Sequence, residues 1–324
     1  MTDAAGAFPP FVERPPWLTG DLQTLRNVIR RPFHDLSDWP EQRIELPLDD
    51  GDRLVAQIHR PAAPQALVVL IHGLGGDANS VYVRATARHL LSSGYTVARL
   101  NLRGAGLSAA HCRSQYHAGR SEDVRAALAR LKPSSGPFFA VGYSLGGNVL
   151  LKYLGEEGRG GPLTAAAAVS TPLDLAASSR RLLVPRNRFY QDYLVTRMKA
   201  DALAEPDFLS AEERRRLREL RTIFEFDDRF VAPRHGFADA PDYYARSSAR
   251  RYIGGIAVPT LVVHGLNDPW IPAESYTGLP WNSLTEVVPL LPRGGGHVGF
   301  HGVGSRIPWH DRCISLFFDR LVKQ

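Results

Sequence analysis

The sequence predicts an α/β domain with a mostly parallel, doubly wound central sheet flanked by helices and interrupted by one helical insertion. Three observations carry this. Strand-like and helix-like segments alternate from Arg43 to His264. Leu67–Ile71, Phe138–Val141, Ala165–Val169 and Thr260–His264 are continuous apolar runs without polar alternation, as in strands buried on both faces. The rhythm breaks once, between Pro172 and Pro259.

In chain order, residues 1–40 are rich in proline and aromatics and read as an irregular arm packed on the domain surface. Arg43–Leu48 and Leu54–His59 flank Asp49-Asp50-Gly51-Asp52, a hairpin signal in which Asp-Gly supplies the positive φ of a tight turn. Val81–Ser92, Ser121–Leu131 and Leu145–Leu154 have helical spacing, and Thr96–Leu100 reads as a further strand. Within the insertion, Asp174–Arg221 is helical and charged, whereas Phe224–Tyr244 is aromatic and turn-rich. The expected organisation is an arm over 1–40, a core over 41–172 and 259–324, and a cap over 173–258.

At 324 residues the chain is long enough to bury a sizeable core, and 44% hydrophobic with 22% charged residues excludes extensive disorder. Cys112 and Cys313 stand far apart with no ligand-spaced partner, which excludes a disulfide framework and a zinc ribbon. The net charge is +6, and all but four of the 39 basic residues are arginine. The densest basic cluster, Arg214-Arg215-Arg216, lies between Glu212-Glu213 and Glu219 and reads as a solvated helix face, so no nucleic-acid partner is expected. Met1 to Phe11 contains no basic leader followed by an apolar stretch, and no run approaches the ~18 apolar residues of a membrane span. The expected location is cytoplasmic.

Gly142-Tyr143-Ser144-Leu145-Gly146-Gly147 satisfies Gly-x-Ser-x-Gly between an apolar strand and a helix, the context in which a sharp turn exposes a serine hydroxyl as a nucleophile. A serine needs a base to take its proton and a carboxylate to orient that base. With the order Ser, acid, His, the favoured acid is Asp268, just past a strand, with Asp174 as its rival. The favoured base is His297 in a glycine loop; His235, His264, His301 and His310 also follow Ser144. His297 and His301 have the spacing of a metal pair on a helix, but Gly299 argues against a helix and no third ligand stands near, so neither metal nor cofactor is expected. His72-Gly73-Leu74-Gly75-Gly76 follows a strand where this fold supplies an oxyanion donor, which assigns the Leu74 and Leu145 N–H groups to that role and leaves His72 structural. Asn101–Ser108 lacks a complete phosphate-loop pattern and reads as a structural turn.

These segments, with Arg103-Gly104, Tyr116-His117-Ala118-Gly119, Glu122-Asp123, Phe224–Asp228, Gly236-Phe237, Asp242-Tyr243-Tyr244, Asn267-Asp268-Pro269 and Gly295–Phe300, resemble the YheT-like branch of the α/β-hydrolases over most of the chain. The resemblance implies an α/β-hydrolase fold and a serine carboxylic-ester hydrolase for short- to medium-chain acyl esters, with Ser144, Asp268 and His297 as triad. Similar proteins include phospholipases and enzymes that transfer medium-chain acyl groups to ethanol. Where that family usually reads His-Leu-Gln-Thr, this chain has Asp21-Leu22-Gln23-Thr24. The competing readings are acyl transfer to an alcohol, phospholipase or monoacylglycerol lipase activity, and a non-catalytic ligand-binding protein on the same fold. The expected partner is a small acyl ester, with transient lipid contact and no obligatory protein partner. The aromatic residues Phe224, Phe226, Phe230, Phe237, Tyr243 and Tyr244 read either as an acyl pocket or as plain core.

Overall fold

The computed structural model describes residues 8–204 and 209–323, so residues 1–7 of the expected arm, 205–208 of the expected cap and residue 324 lie outside the described residues. Eight strands form one sheet in the order β1-β2-β4-β3-β5-β6-β7-β8. The ranges are β1 Glu41–Pro47, β2 Arg53–His59, β3 Ala66–Ile71, β4 Tyr95–Asn101, β5 Phe138–Tyr143, β6 Ala165–Val169, β7 Thr260–Val263 and β8 Val287–Leu290. β1 pairs antiparallel with β2, and β2 antiparallel with β4; every other pairing is parallel.

The unbroken apolar strands follow from burial on both faces. In β3, Val69 and Ile71 join the cluster under α3 (Ser121–Leu131) and α4 (Leu145–Glu157). Val68 and Leu70 join the cluster beneath α2 (Val81–Ser92) and the helix Trp309–Val322. The hairpin turn has Gly51 at φ 89°. Next to it, the buried Arg103 guanidinium binds Asp123 at 2.7 Å and Asp50 at 2.8 Å, and also Asp52, which ties the 101–108 turn to the hairpin as a structural corner.

Three expectations are corrected. The arm is not irregular throughout: α1 spans Gly20–Arg30, with the Thr19 hydroxyl accepting from the Leu22 N–H and Arg31 closing the helix at φ 44°. The stretch Phe224–Tyr244 is largely helical. Thr222 and Glu225 form a reciprocal cap on Ile223–Phe226, a π-helical turn runs over Asp227–Val231, and Asp239 caps the helix Ala240–Ser247. After His264 come β8, where Pro289 obscures the strand pattern at the sheet edge, and the helix Trp309–Val322. Between β6 and β7 lies the helical insertion, with α5 Leu175–Leu183, α6 Arg188–Ala204 and α7 Ala211–Glu219.

Candidate active site

The parallel register sets Ile71 beside Gly142 and Tyr143 beside Val169, so the chain leaves β3, β5 and β7 at one edge of the sheet. At that edge β5 turns directly into α4. Ser144, the residue between them, has φ 49° and ψ −121°, a conformation that costs a non-glycine residue roughly 1–3 kcal/mol. The flanking glycines are required by contact. A Cβ on Gly146 would lie 2.2 Å from the His72 carbonyl oxygen, and one on Gly147 would lie 2.1 Å from Thr171 Oγ1. The Ser144 N–H donates to the Val169 carbonyl at 2.9 Å, which pins the turn to β6.

His297 Nε2 lies 2.9 Å from Ser144 Oγ and its Nδ1 lies 2.8 Å from Asp268 Oδ2. Asp268 follows β7 and is buried; its Oδ1 accepts the N–H groups of Trp270 at 2.8 Å and Ile271 at 3.2 Å. Burial alone would raise its carboxyl pKa, but the charge and hydrogen bond of His297, with His264 and the Trp270 N–H, hold it below the usual carboxylate value. The indole of Trp270 stacks on the His297 ring at 4.1 Å. Asp174, the rival acid, caps α5 by accepting the Ala177 N–H at 2.8 Å. Of the other candidate histidines, His264 stacks on Tyr276 at 3.8 Å with its Nδ1 4.0 Å from Asp268, His235 tilts against His117 with ring centroids 4.4 Å apart, His310 lies beside Asp311, and His301 lies beside Arg26.

The 72–76 loop is fixed from four sides. His72 Nδ1 bonds the Gly73 carbonyl and its Nε2 accepts the Leu102 N–H, a pairing that sets the neutral tautomer; burial lowers its pKa to about 4. The Tyr82 and Tyr116 hydroxyls accept the Gly73 and Gly75 N–H groups, and Arg197 Nε donates to the Gly75 carbonyl. The Leu74 N–H between them has no hydrogen-bond acceptor among the described residues. Leu145 is the first residue of α4, where a backbone N–H has no partner within the helix.

Sequence reasoning missed what holds the His297 loop. Thr24 Oγ1 on α1 accepts the His297 N–H at 2.8 Å, and Ser170 Oγ accepts the Val298 N–H at 3.0 Å. Gln23 is fully buried. Its Nε2 donates to the Trp17 and His301 carbonyls and its Oε1 accepts the His301 N–H at 2.7 Å. A Cβ on Gly296 would lie 2.3 Å from the Gly20 carbonyl oxygen, so the glycine loop is cut to fit α1. Asp21, where the family usually has histidine, binds Arg186 at 2.5 Å and accepts from the Tyr190 hydroxyl, tethering α1 to the insertion. Thr-Gly-Asp is a local signal for a helix start; the His297 and His301 partners of Thr24 and Gln23, more than 270 positions away, leave no such signal.

Two cavities meet at Ser144 and His297. The first, about 120 Å³, runs under the insertion and is lined mainly by apolar residues, among them Leu182, Met198, Ile223, Phe226 and Tyr244. It also contains Asp227, whose Oδ2 accepts the Tyr244 hydroxyl at 2.7 Å. Burial raises the Asp227 carboxyl to about 7 against the lowering effect of that bond. The second cavity, about 530 Å³, lies between α1, α6 and the 73–82 segment. Phe226, Phe230, Tyr243 and Tyr244 line the first cavity, Phe237 packs beside His117, and Phe224 sits partly exposed against Tyr244. Among the described residues no His, Cys, Asp and Glu cluster has the arrangement of a metal site, and no helix is long and apolar enough to cross a membrane.

A strained serine at a strand-to-helix turn, facing a histidine–carboxylate pair at the sheet edge, defines the class. The sequence matches the family described as the alpha/beta hydrolase fold over residues 66–301, and the chain belongs to this family, in the group that contains YheT. It is 37% identical to YheT of Escherichia coli (strain K12), provisionally named an esterase, over 87% of this chain and 84% of that protein. It is 29% identical to a monoacylglycerol lipase of Saccharomyces cerevisiae and 30% identical to that yeast's medium-chain fatty acid ethyl ester synthase/esterase 2, over 79% and 78% of this chain. The chain spans 60% and 62% of the length of these two relatives. The solved esterase Pf2001 of Pyrococcus furiosus shares the fold, with a TM-score of 0.58 and 16% identity over 87% of this chain and 93% of that one. The protein is an esterase- or lipase-type α/β-hydrolase.

Proposed function

We propose that the protein is a serine carboxylic-ester hydrolase acting on short- to medium-chain acyl esters through an acyl-enzyme. The observation that carries this reading is the continuous chain of hydrogen bonds from Asp268 through His297 to Ser144 Oγ, ending where two cavities meet. Ser144 Oγ attacks the ester carbonyl while His297 Nε2 takes its proton, and Asp268 holds the Nδ1–H and balances the imidazolium. The Leu74 and Leu145 N–H groups face the developing oxyanion, where each donor of this kind lowers the barrier by roughly 3 kcal/mol. His297 then protonates the departing alkoxide and, in the second half, activates a water that releases the acid. The apolar cavity under the insertion takes the acyl chain, and the cavity beside α1 takes the alcohol part.

A second reading, transfer of the acyl group to an alcohol, is supported by that second cavity, which can hold an acceptor against the same acyl-enzyme. The yeast ester synthase/esterase carries both activities in its name. Hydrolysis of p-nitrophenyl esters from acetate to palmitate, with and without ethanol, by wild type and Ser144→Ala tests both. Loss of turnover in the variant supports the mechanism, and ethyl ester formed at the expense of acid supports transfer. Turnover in neither protein, or equal turnover in both, removes the esterase reading and favours a non-catalytic binding protein.

A further inference from the structure

The mouth of the cavity beside α1 is surrounded by large apolar side chains in solvent. On α1 and just beyond it, Val28, Ile29 (58% exposed) and Phe33 (80% exposed) point outward, while Gln23 and Thr24 on the same helix hold the His297 loop. Across the mouth, Phe189 (66% exposed) and Tyr193 of α6 do the same. Val28, Phe189 and Tyr193 line the cavity that leads to Ser144, so the apolar rim and the route to the nucleophile are continuous. Soluble proteins seldom leave such a group of side chains exposed without a use for it.

The charge around this rim is mainly positive, with Asp77 the one carboxylate in the cavity lining beside Arg31 and Arg197. Arg26, Arg30, Arg31, Arg84 and Arg88 form no salt bridge among the described residues. The Arg84 and Arg88 guanidinium groups instead bond the backbone carbonyl oxygens of His34 and Asp35, with the exposed Asp35 carboxylate the counter-charge near Arg88. Arg84 also lies 5.3 Å over the ring of Phe33, so the most exposed aromatic carries a cation on its face. Outward apolar side chains within a ring of arginines are the pattern of a surface that sinks its apolar part to the depth of lipid headgroups and holds their phosphates at its edge. A second copy of the chain would set arginine against arginine and seal the cavity.

We propose that α1, the turn through Phe33 and the start of α6 dock on the surface of an anionic phospholipid bilayer, and that lipid esters enter the site from that surface. The docking stands on the exposed rim alone; the entry of esters rests on the hydrolase reading above.

The test uses the full chain and sedimentation with vesicles of phosphatidylcholine alone or with about 30% phosphatidylglycerol. The expected result is binding to the anionic vesicles at least about tenfold stronger than to the neutral ones, and weakened in about 1 M salt. Ile29→Glu with Phe33→Glu should remove this binding while turnover of soluble p-nitrophenyl butyrate stays within about twofold. Arg30→Gln with Arg88→Gln should weaken binding to anionic vesicles and leave that to neutral ones unchanged. No vesicle binding by wild type, or binding retained in Ile29→Glu/Phe33→Glu, overturns the proposal. A wild-type dimer that the same double variant splits overturns it in favour of a second copy. Because Ser144→Ala should bind vesicles as wild type does, failure of the docking and failure of the hydrolase reading are read separately.

Discussion

Two buried histidine–aspartate pairs serve consecutive residues of the chain, and only one is arranged for chemistry. His297 and Asp268 stand before Ser144 with each ring nitrogen on a different partner, at the meeting of two cavities. His310 and Asp311 stand behind Tyr143. There the Thr86 hydroxyl lies 2.6 Å from Asp311 Oδ1 and also meets the Tyr143 hydroxyl, so the alcohol bonds the carboxylate rather than the imidazole. Thr86 sits in the regular helix α2, and neither His310 nor Asp311 lines a cavity described above. Hydroxyl, imidazole and carboxylate are present in both places. What differs is their order, the strain that exposes the serine, and access for a substrate.

The comparison is open to direct attack. The largest expected effect is Ser144→Ala, which should lower kcat/KM for p-nitrophenyl butyrate by roughly 10⁴-fold or more. Asp268→Asn should follow with a loss of roughly 10⁴-fold in kcat. Asp311→Asn should instead lower Tm and change kcat by less than about tenfold, since its carboxylate bonds only groups behind the nucleophile strand. Equal kcat losses in the two aspartate variants, with both folded by circular dichroism, would end the distinction.

Gln23→Ala comes next. It strips the His301 N–H and carbonyl of their partner and frees the loop that carries His297, so kcat should fall by roughly 10²-fold with little change in KM. Recovery of kcat in Gln23→Glu is not expected, because a carboxylate cannot donate to the Trp17 and His301 carbonyls.

Smaller effects concern stability. His264 and His72 are fully buried, with pKa values lowered by burial to about 4. The unfolded chain therefore binds protons that the folded one refuses as pH falls from about 6.5 to about 4, and each histidine should remove about 1.4 kcal/mol of stability per pH unit across that window. His264→Phe, which keeps a ring against Tyr276, should flatten the acid limb of a Tm-against-pH curve. Asp227, a buried carboxyl with no histidine beside it, has the opposite sign. Its folded pKa is raised to about 7, so its stability is present at low pH and lost as pH rises toward that value. Asp227→Asn should raise Tm at pH 8 and leave it nearly unchanged at pH 4.

The parts of this molecule legible in its sequence are those whose causes are local. The glycines around Ser144 are demanded by contacts at the start of α4, and β3, β5 and β6 announce themselves because burial on both faces leaves no polar residue in them. The positions of Asp268 and His297 were readable as an order along the chain, not as a distance. Asp174 could be separated from Asp268 only once its carboxylate was found capping α5. What could not be read is set by partners remote in sequence: Thr24 beneath His297, Gln23 against His301, the tyrosines on the 72–76 loop. The π-helical turn at Asp227–Val231 has no periodic signature of its own, and its surroundings in the insertion decide it.

The clasp between Gln23 and His301 joins residues 278 positions apart. All eight strands, from Glu41 to Leu290, lie between them in the sequence, so the clasp can close only when the sheet has brought the two segments together. In a refolding experiment, full activity should therefore lag the recovery of secondary structure, because it reports a contact of long sequence separation rather than the local elements of the core.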